Sequence, residues 1–549
     1  MDTTLTVTPY LLNIGYSLLA TIITTLIVLH YYIETRHAVR LSLKLPHPPR
    51  VPIIGHALIS LKFNPEDILT KGLEYLVEYG SVMSLHLGTR AVIFLTDPQD
   101  IEIILNSPEH IDKPVEYSFF KPWLGDSMLF NNSAKWLQHR KTILATVHIQ
   151  ILKTYVSLFY ENSLDLVKRL GDKISQQFNC HNYLSVVTIN MLIETAMGVK
   201  REKVQNIGFD YAMAVMKLSE IVHKRQFDAS LRFDQLFRFS KLAKLQQELL
   251  NTVQSATKIV IQEKLKDIEE KQIKNTHKIE AENSMEKTEN GMNTTNYKMH
   301  YARDDIDDMD ENDVREKKRL SFLEMLIDMK KNGQMIDKEI SDNVNAALFV
   351  GHGTIATTSS FVLCVLGYLS EIQARVHEEL DSIFHDSDRQ CTFQDTIEMK
   401  YLERVILETL RLFPTVPLFA RKLNKDIRIV TGNYVLPKDA TIVIFPFVLH
   451  RTEKYYPNPL VFNPDNFLPD NMRQRNNYAY IPFSAGPRSC LGRKYAMLKL
   501  KVLLSTILRN YRITSDVSYQ DFLLLAEIVL KRADGFHIKI EQRKKKSRI

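Results

Sequence analysis

Hydrophobic residues are unevenly distributed along this 549-residue chain, and the most apolar segment comes first. No Asp, Glu, Lys or Arg occurs from Thr3 to Ile33, and the stretch from Tyr10 to Tyr32 is long enough for an α-helix to cross a bilayer. Tyrosines at both ends are typical of the two membrane interfaces. The pattern predicts a membrane anchor over residues 1–33. A cleaved signal peptide is the alternative, but the segment has no basic start and no clear cleavage site.

A basic and proline-rich segment follows over residues 34–55. Positive charges beside a membrane helix mark its cytosolic end, so the rest of the chain is expected on the cytosolic side. The basic residues are Arg36, Arg40, Lys44 and Arg50. Prolines between Pro46 and Gly55 fix backbone angles and block helix formation. We therefore expect a stiff hinge between the anchor and a globular part.

The spacing of apolar positions then changes several times. Alternation in Gly80–Gly88 and in Ala91–Leu95 indicates a two-stranded hairpin. Apolar residues recur at helical spacing in Val156–Ile174 and in Leu242–Lys271. The stretch Ala346–Leu369 is the most apolar helix after the anchor. Together these segments predict a mainly α fold with a small β region.

The globular domain is expected to span residues 56–541. One polar segment lies within it and a second follows it. Residues 275–318 offer too little apolar surface to fold, which predicts a disordered insertion. An acidic docking site around Asp304–Glu311 is the alternative interpretation. Residues 542–549 form a basic tail, typical of a solvated terminus.

Composition narrows the function classes. A formal charge of +7 is modest for this length, so nucleic acid is not indicated, whereas an anionic membrane surface or an acidic protein partner fits. Hydrophobic residues make up 45%, enough for a substantial core. The four cysteines have no paired spacing, which favours a reducing compartment over a disulfide framework.

One cysteine has a distinctive setting. Cys490 lies in the stretch Phe483–Gly492, where two glycines and a proline predict a tight loop ahead of a helix over Tyr495–Leu508. A thiolate is stabilised near a helix start, which suits it to bind a metal. No other Cys and no His lies between His450 and His537, which excludes a local zinc cluster and leaves a single axial haem ligand. The alternative is a small buried hydrophobic residue.

Two motifs decide between these interpretations. The pattern F-x-x-G-x-R-x-C-x-G is matched at every fixed position by Phe483, Gly486, Arg488, Cys490 and Gly492. A separate E-x-x-R is supplied by the residues from Glu408 to Arg411. With both motifs the chain resembles the cytochrome P450 superfamily, and within it the animal microsomal family four. The resemblance implies the P450 fold, with an N-terminal transmembrane helix ahead of it.

The resemblance also implies a cofactor, haem b, with Cys490 as the axial thiolate ligand of the iron. Phe483, Gly486 and Gly492 would shape the loop that holds it. The basic and aromatic residues expected at the haem propionates are Trp136, Arg140, Arg421 and Arg488.

The E-x-x-R pair has a structural role in the family. Glu408 and Arg411 are expected to form a buried ion pair that braces the cysteine loop, although a surface pair would show the same spacing. Many members add an Arg in a P-x-x-F phrase, where this chain has Asn466, so a weaker network is expected.

The long apolar helix resembles the one that crosses the distal haem face. Its segment Val350–Ala356 aligns with the family-four phrase E-G-H-D-T-T-A, with departures at Val350, Gly353 and Ile355. Thr354 is the catalytic candidate, since its hydroxyl would bond dioxygen or a water there. Gly353 replaces the carboxylate that usually relays protons. The earlier stretch Pro122–Gly125 resembles a loop that borders the substrate pocket.

The function implied is that of a monooxygenase of the endoplasmic reticulum membrane, with its catalytic domain in the cytosol. It would insert one oxygen atom of dioxygen into a fatty acid or related apolar lipid. Electrons would come from NADPH through a separate reductase, with a b-type cytochrome as a second donor. The alternatives are a haem-thiolate hydroperoxide isomerase or dehydratase, favoured by Gly353, and a non-catalytic haem or lipid binder.

Overall fold

The computed structural model describes residues 4–60, 66–131, 133–204, 207–228, 230–282, 320–385 and 387–543. Most of the predicted insertion at 275–318 lies outside these ranges, as does nearly all of the basic tail at 542–549. Residues 275–282 continue a long helix. The division of the chain into four segments stays a prediction.

Helices make up most of the described chain, as the sequence predicted. They are α1 Thr4–Thr35, α2 His37–Ser42, α3 Ala57–Ser60, α4 Asp67–Tyr79, α5 Pro98–Leu105, α6 Lys121–Leu124, α7 Ser133–Ile143, α8 Ile149–Leu170, α9 Cys180–Leu192, α10 Gly208–Phe227, α11 Asp234–Phe237, α12 Lys241–Glu282, α13 Phe322–Lys331, α14 Asp337–Tyr368, α15 Ser370–Phe384, α16 Phe393–Glu398, α17 Lys400–Leu412, α18 Pro446–Leu449, α19 Pro469–Gln474 and α20 Arg493–Asn510.

Two of these helices are apolar and long enough to cross a membrane, and their surroundings distinguish them. From Leu12 to Thr35, α1 leaves its apolar side chains exposed, as a membrane anchor would. Helix α14 is instead buried within the globular part. It begins at Asp337, ahead of the predicted Ala346, because its polar first turns extend the helix without adding to its apolar pattern. Its length makes it the central element of the core.

The core forms around α14, which packs against α9, α12, α17 and α20. Helix α17 ends at Leu412, because the residue before Pro414 is disfavoured in a helical conformation. Helix α20 begins directly after the cysteine loop. The two helices that carry or flank the sequence motifs therefore contact the distal helix, which brings remote parts of the chain to one place.

The β region is small and divided. Its strands are β1 Val82–Leu87, β2 Arg90–Leu95, β3 Phe178–Asn179, β4 Phe419–Lys422, β5 Ile427–Arg428, β6 Val435–Leu436, β7 Thr441–Ile444, β8 Tyr511–Thr514, β9 Leu524–Ala526, β10 Leu530–Arg532 and β11 His537–Gln542. The predicted hairpin is confirmed: β1 and β2 pair antiparallel, with Leu87 opposite Arg90. The largest sheet has the order β1-β2-β7-β4, and it places Arg421 on an edge strand.

Candidate haem-binding site

The cysteine loop is held in shape by its own backbone. The amide of Cys490 donates a hydrogen bond of 2.9 Å to the carbonyl of Phe483, which closes the loop. Gly486 has φ +70°, and a Cβ there would lie 2.0 Å from the carbonyl oxygen of Leu105. Only glycine fits that position. The loop then passes to α20 at Arg493, three residues beyond the cysteine.

The cysteines differ sharply in accessibility. Cys490 is exposed, whereas Cys180, Cys364 and Cys391 are buried. Burial raises the pKa of Cys391 to about 12 and raises the pKa of Cys180 well above its ordinary value. A thiol held protonated in the core is a poor metal ligand. Cys490 is therefore the cysteine whose sulfur is available to a cofactor.

The arginines named from the sequence converge on this loop. Arg140 Nη1 donates to the carbonyl of Ser489 at 2.9 Å, and Arg421 Nη2 reaches the carbonyl of Arg488 at 3.4 Å. The ring of Trp136 lies 5.5 Å from the guanidinium carbon of Arg140 and 4.7 Å from that of Arg488. Guanidinium groups from three separate regions of the chain thus lie beside the cysteine loop.

Arg421 and Arg488 have no hydrogen-bonded carboxylate among the described residues, and the charge of Asp112 only partly offsets the effect of burial on the pKa of Arg488. Within the described residues, the hydrogen-bond partners of Arg421 and Arg488 are carbonyl oxygens and one serine hydroxyl. Burial lowers the pKa of Arg421 to about 10 and that of Arg488 to about 9, with Arg421 adding to the effect on Arg488. Buried charges normally need a counter-charge. The two propionates of a haem would supply it, so the residues present fit that cofactor.

One turn of the predicted distal helix α14, from Val350 to Thr354, has open space on one side. Val350 is 40% exposed although it lies in the middle of a buried helix, and a Cβ on Gly353 would meet nothing within 4 Å. Thr354 Oγ1 donates to the carbonyl of Val350 at 2.7 Å, so its oxygen lone pairs remain available as acceptors. On the opposite face, a Cβ on Gly351 would come within 2.8 Å of Leu192. One side of this turn is free space and the other is packed.

The E-x-x-R residues form a buried bidentate ion pair. Arg411 Nε and Nη2 donate to the carboxylate of Glu408 at 2.7 and 2.8 Å, and both side chains are fully buried. Asn466 Nδ2 also donates to this carboxylate, at 3.2 Å. Asn466 thus joins the network with a neutral amide in place of a cation, and the weaker network expected from this substitution stays a prediction.

The Pro122–Gly125 stretch lies against the distal helix. The ring of Trp123 packs 4.5 Å from that of Phe349 in α14. The amide of Asp126 donates to Asp342 near the start of α14, at 3.0 Å. The loop therefore borders the helix that carries Thr354, and its predicted place beside a substrate pocket stays a prediction.

Comparison with known proteins settles the family. A model of the family described as Cytochrome P450 matches residues 45–539. This chain belongs to the cytochrome P450 family. Among its relatives, Cytochrome P450 4g1 of Drosophila melanogaster is 43% identical over 96% of this chain and 95% of its own length. Cytochrome P450 4V2 of Homo sapiens is 33% identical over 90% of this chain and 88% of its own length.

Membership confirms the coarse expectations. This P450 is a haem-dependent monooxygenase whose iron takes a thiolate ligand, and its family receives electrons from a redox partner and binds apolar substrates. The resemblance to family four is confirmed by relatives such as Cytochrome P450 4g15 of Drosophila melanogaster, 42% identical over 94% of this chain and 96% of its own length. The roles of individual residues in the site stay predictions.

Sequence reasoning missed three residues of this P450 site. Lys113 lies close enough to Arg421 and Arg488 that they add to burial in holding its pKa well below the ordinary value. His450 accepts a bond from the amide of Ile481 at 2.9 Å, while its own carbonyl accepts one from Arg411 at 2.9 Å. This histidine links the ion pair to the start of the cysteine loop.

The third missed residue is Arg475, which supports Asn466. Its Nη2 donates to the carbonyl of Asn466 at 2.7 Å, and its guanidinium lies 4.2 Å from the centre of the Tyr456 ring. The guanidinium of Arg411 lies 4.9 Å from the same ring. No motif marks these residues, because their roles depend on tertiary contacts, several of them with backbone carbonyls that any residue could supply.

Proposed function

We propose that this P450 inserts one oxygen atom of dioxygen into an aliphatic lipid, a fatty acid or a related molecule, using electrons that NADPH provides through a separate reductase. The observation that carries the proposal is the exposed thiol of Cys490 beside the buried guanidinium groups of Arg421 and Arg488, whose hydrogen-bond partners among the described residues are carbonyl oxygens and a serine hydroxyl. Such a site suits an anionic, iron-bearing ring that activates oxygen.

Haem b is the cofactor that these residues would hold. Cys490 would ligate the iron, while Arg140, Arg421 and Arg488 would bind the propionates and Trp136 would pack between two of the guanidinium groups. The haem iron, with a thiolate ligand, would supply the oxygen-activating chemistry of the reaction. Extraction of the cofactor and its pyridine haemochrome spectrum identify the haem type.

On the distal side the chain contributes shape and one hydroxyl. Thr354 directs its proton to the carbonyl of Val350 and offers its oxygen as an acceptor to a water. Gly353 leaves room for further water, because no side chain fills the space beside it. Proton delivery here would therefore depend on water held by Thr354. The apolar side chain of Val350 suits an aliphatic substrate.

The membrane setting supports a lipid substrate. Helix α1 would anchor the protein in the endoplasmic reticulum, and the basic residues of the following hinge would hold the catalytic domain on the cytosolic face. There an NADPH-dependent reductase and a b-type cytochrome would act as electron donors. Protease digestion of sealed microsomes tests this topology: the catalytic domain should be degraded and the lumenal side protected.

Reconstitution tests the reaction. The full-length protein is combined with reductase in vesicles and given a panel of fatty acids and related lipids under ¹⁸O-labelled dioxygen. We expect an NADPH-dependent product that carries one labelled oxygen atom. A matched preparation without reductase should give no product. Absence of labelled product across the panel, from protein with a full complement of haem, would overturn the lipid assignment.

The same preparation distinguishes the alternatives. A hydroperoxide isomerase or dehydratase would convert a lipid hydroperoxide without NADPH, and its product would carry no label from dioxygen. The open space beside Gly353 is compatible with that chemistry, because rearrangement needs no proton relay from a neighbouring carboxylate. A non-catalytic binder would give neither reaction but would still shift the haem spectrum on addition of lipid.

A further inference from the structure

A lysine is buried behind the distal turn. Lys499 lies on α20 and is fully buried. Its Nζ donates to the carbonyl of Thr188 in α9 at 2.7 Å and to the carbonyl of Gly351 in α14 at 3.4 Å. A single ammonium group thus joins three helices at the turn that precedes Thr354.

Thr188 strengthens the same junction. Its Oγ1 donates to the carbonyl of His352 at 3.3 Å, so α9 and α20 together contact two successive carbonyls of α14. The packed face of this turn, where Leu192 leaves no room for a Cβ on Gly351, is the same face. The side of the turn at Gly351 is therefore held by α9 and α20, whereas the side at Gly353 borders open space.

The position is an expensive one for a cation. Among the described residues Lys499 hydrogen-bonds to two backbone carbonyls and lies 5.4 Å from the centre of the Tyr495 ring, with no carboxylate beside it, and burial lowers its pKa well below the ordinary value. Lys501, two residues later and equally buried, has the usual compensation: its Nζ lies 2.6 Å from the carboxylate of Glu403 and 2.8 Å from the carbonyl of Thr396. An uncompensated buried charge costs stability. The presence of Lys499 at this position therefore requires an explanation other than stabilisation of the fold.

We propose that Lys499 is a positioning residue for oxygen activation, holding the Gly351–Thr354 turn of α14 against α9 and α20 so that Gly353 and Thr354 keep their place at the haem. The proposal rests on the proposed function, since it assigns the lysine to the oxygen-handling turn. It differs from a general packing role because its expected effect is confined to that turn.

Substitution by methionine isolates the ammonium group. Methionine keeps most of the volume of the aliphatic stem. The carbonyls of Thr188 and Gly351 lie inside helices, where each has the amide four residues later as its regular partner, so neither becomes an orphan. Lys501→Met is the matched control on the same helix, although it also removes the partner of Glu403.

Two measurements on the holoenzyme test the proposal. In Lys499→Met, amide hydrogen exchange over residues 350–356 should accelerate, and product formed per NADPH should fall by about tenfold, within the ~10²-fold penalty for misplacing a reacting group by about 1 Å. Lys501→Met should leave exchange in that segment and product per NADPH unchanged. The reduced carbon monoxide spectrum should be retained in both.

The outcomes separate cleanly. Exchange and product yield within twofold of wild type in Lys499→Met would overturn the proposal. If that variant fails to fold, Thr188→Val decides, since it removes only the hydroxyl contact to His352: faster exchange over 350–356 supports the proposal and unchanged exchange overturns it. If the wild type forms no product, the proposed function fails, yet the exchange data still decide whether Lys499 holds the turn.

Discussion

The cysteine loop and the distal turn of α14, both predicted to lie at the haem, are built differently. In the loop, Cys490 closes a backbone hydrogen bond and Gly486 sits where no other residue fits. In the turn, Gly353 borders empty space and Val350 is exposed to the interior. The loop allows little variation, whereas the turn has room for it.

The difference indicates where this P450 departs from its family. The loop matches every fixed position of the haem signature, while the turn departs at Val350, Gly353 and Ile355. Ile355 is buried at 3% exposure, so its change affects packing, whereas the changes at Val350 and Gly353 alter the surface that faces the site. The chain therefore keeps every fixed position of the haem signature and departs from the family in the turn that is predicted to supply protons.

The largest effect is expected at the loop itself. Cys490→Ala should abolish the thiolate-type spectrum of the reduced carbon monoxide complex, because the remaining cysteines are buried elsewhere. Cys391→Ala is the control and should retain the spectrum. A thiolate spectrum in the Cys490 variant would mean that another residue ligates the iron.

The ion pair behind the loop comes next. Arg411→Met leaves the Glu408 carboxylate buried and unpaired, which should cost about 3–5 kcal/mol of unfolding free energy and most of the bound haem. Arg473→Met is the control, since it breaks an exposed pair with Asp470 at the same i,i+3 spacing and should cost at most about 1 kcal/mol. Thermal unfolding and haem content measure both. Equal losses in the two variants would remove the pair's special role.

Substitution of an arginine in the guanidinium cluster should have different effects on the haem-free protein and on the holoenzyme. Arg421→Met removes a buried charge that has no carboxylate partner, so the haem-free protein should be no less stable than wild type. The holoenzyme should release haem about 10- to 100-fold faster, since a hydrogen bond to a charged group is worth about 1.5–3 kcal/mol. Transfer of haem to an excess of apomyoglobin measures the rate. Unchanged release would show that Arg421 does not bind the cofactor.

A smaller effect is expected on the distal side. Thr354→Val keeps the shape of the side chain and removes the hydroxyl, so product per NADPH should fall by about 2- to 10-fold, the value of one hydrogen bond. Thr358→Val is the control, because that hydroxyl makes the same kind of bond to the carbonyl four residues earlier but is buried. Equal effects of the two substitutions would point to helix geometry rather than to a water held by Thr354.

The sequence predicted the elements of both regions better than their connections. The hairpin of β1 and β2 followed from alternating apolar residues, and the cysteine loop followed from a motif of fixed residues. No sequence motif pointed to three further residues, Lys113, His450 and Lys499. Lys113 and Lys499 contact residues more than one hundred positions away, and His450 contacts Arg411 through a backbone carbonyl, which any residue has. Such contacts depend on the packing of remote helices.

We expect oxygen activation to be limited by the lack of a proton-relaying side chain at Gly353, where the distal turn has room for one. Peroxide and product per NADPH, measured together, test it in wild type and in Gly353→Asp, with Gly353→Asn as a control of similar size. The new side chain should fit, since a Cβ at Gly353 meets nothing within 4 Å. We expect the wild type to release peroxide and the aspartate variant to form more product and less peroxide, with a gain bounded by the ~10²–10⁴-fold that general acid catalysis contributes. Tight coupling in the wild type, with no gain in Gly353→Asp, would contradict the claim.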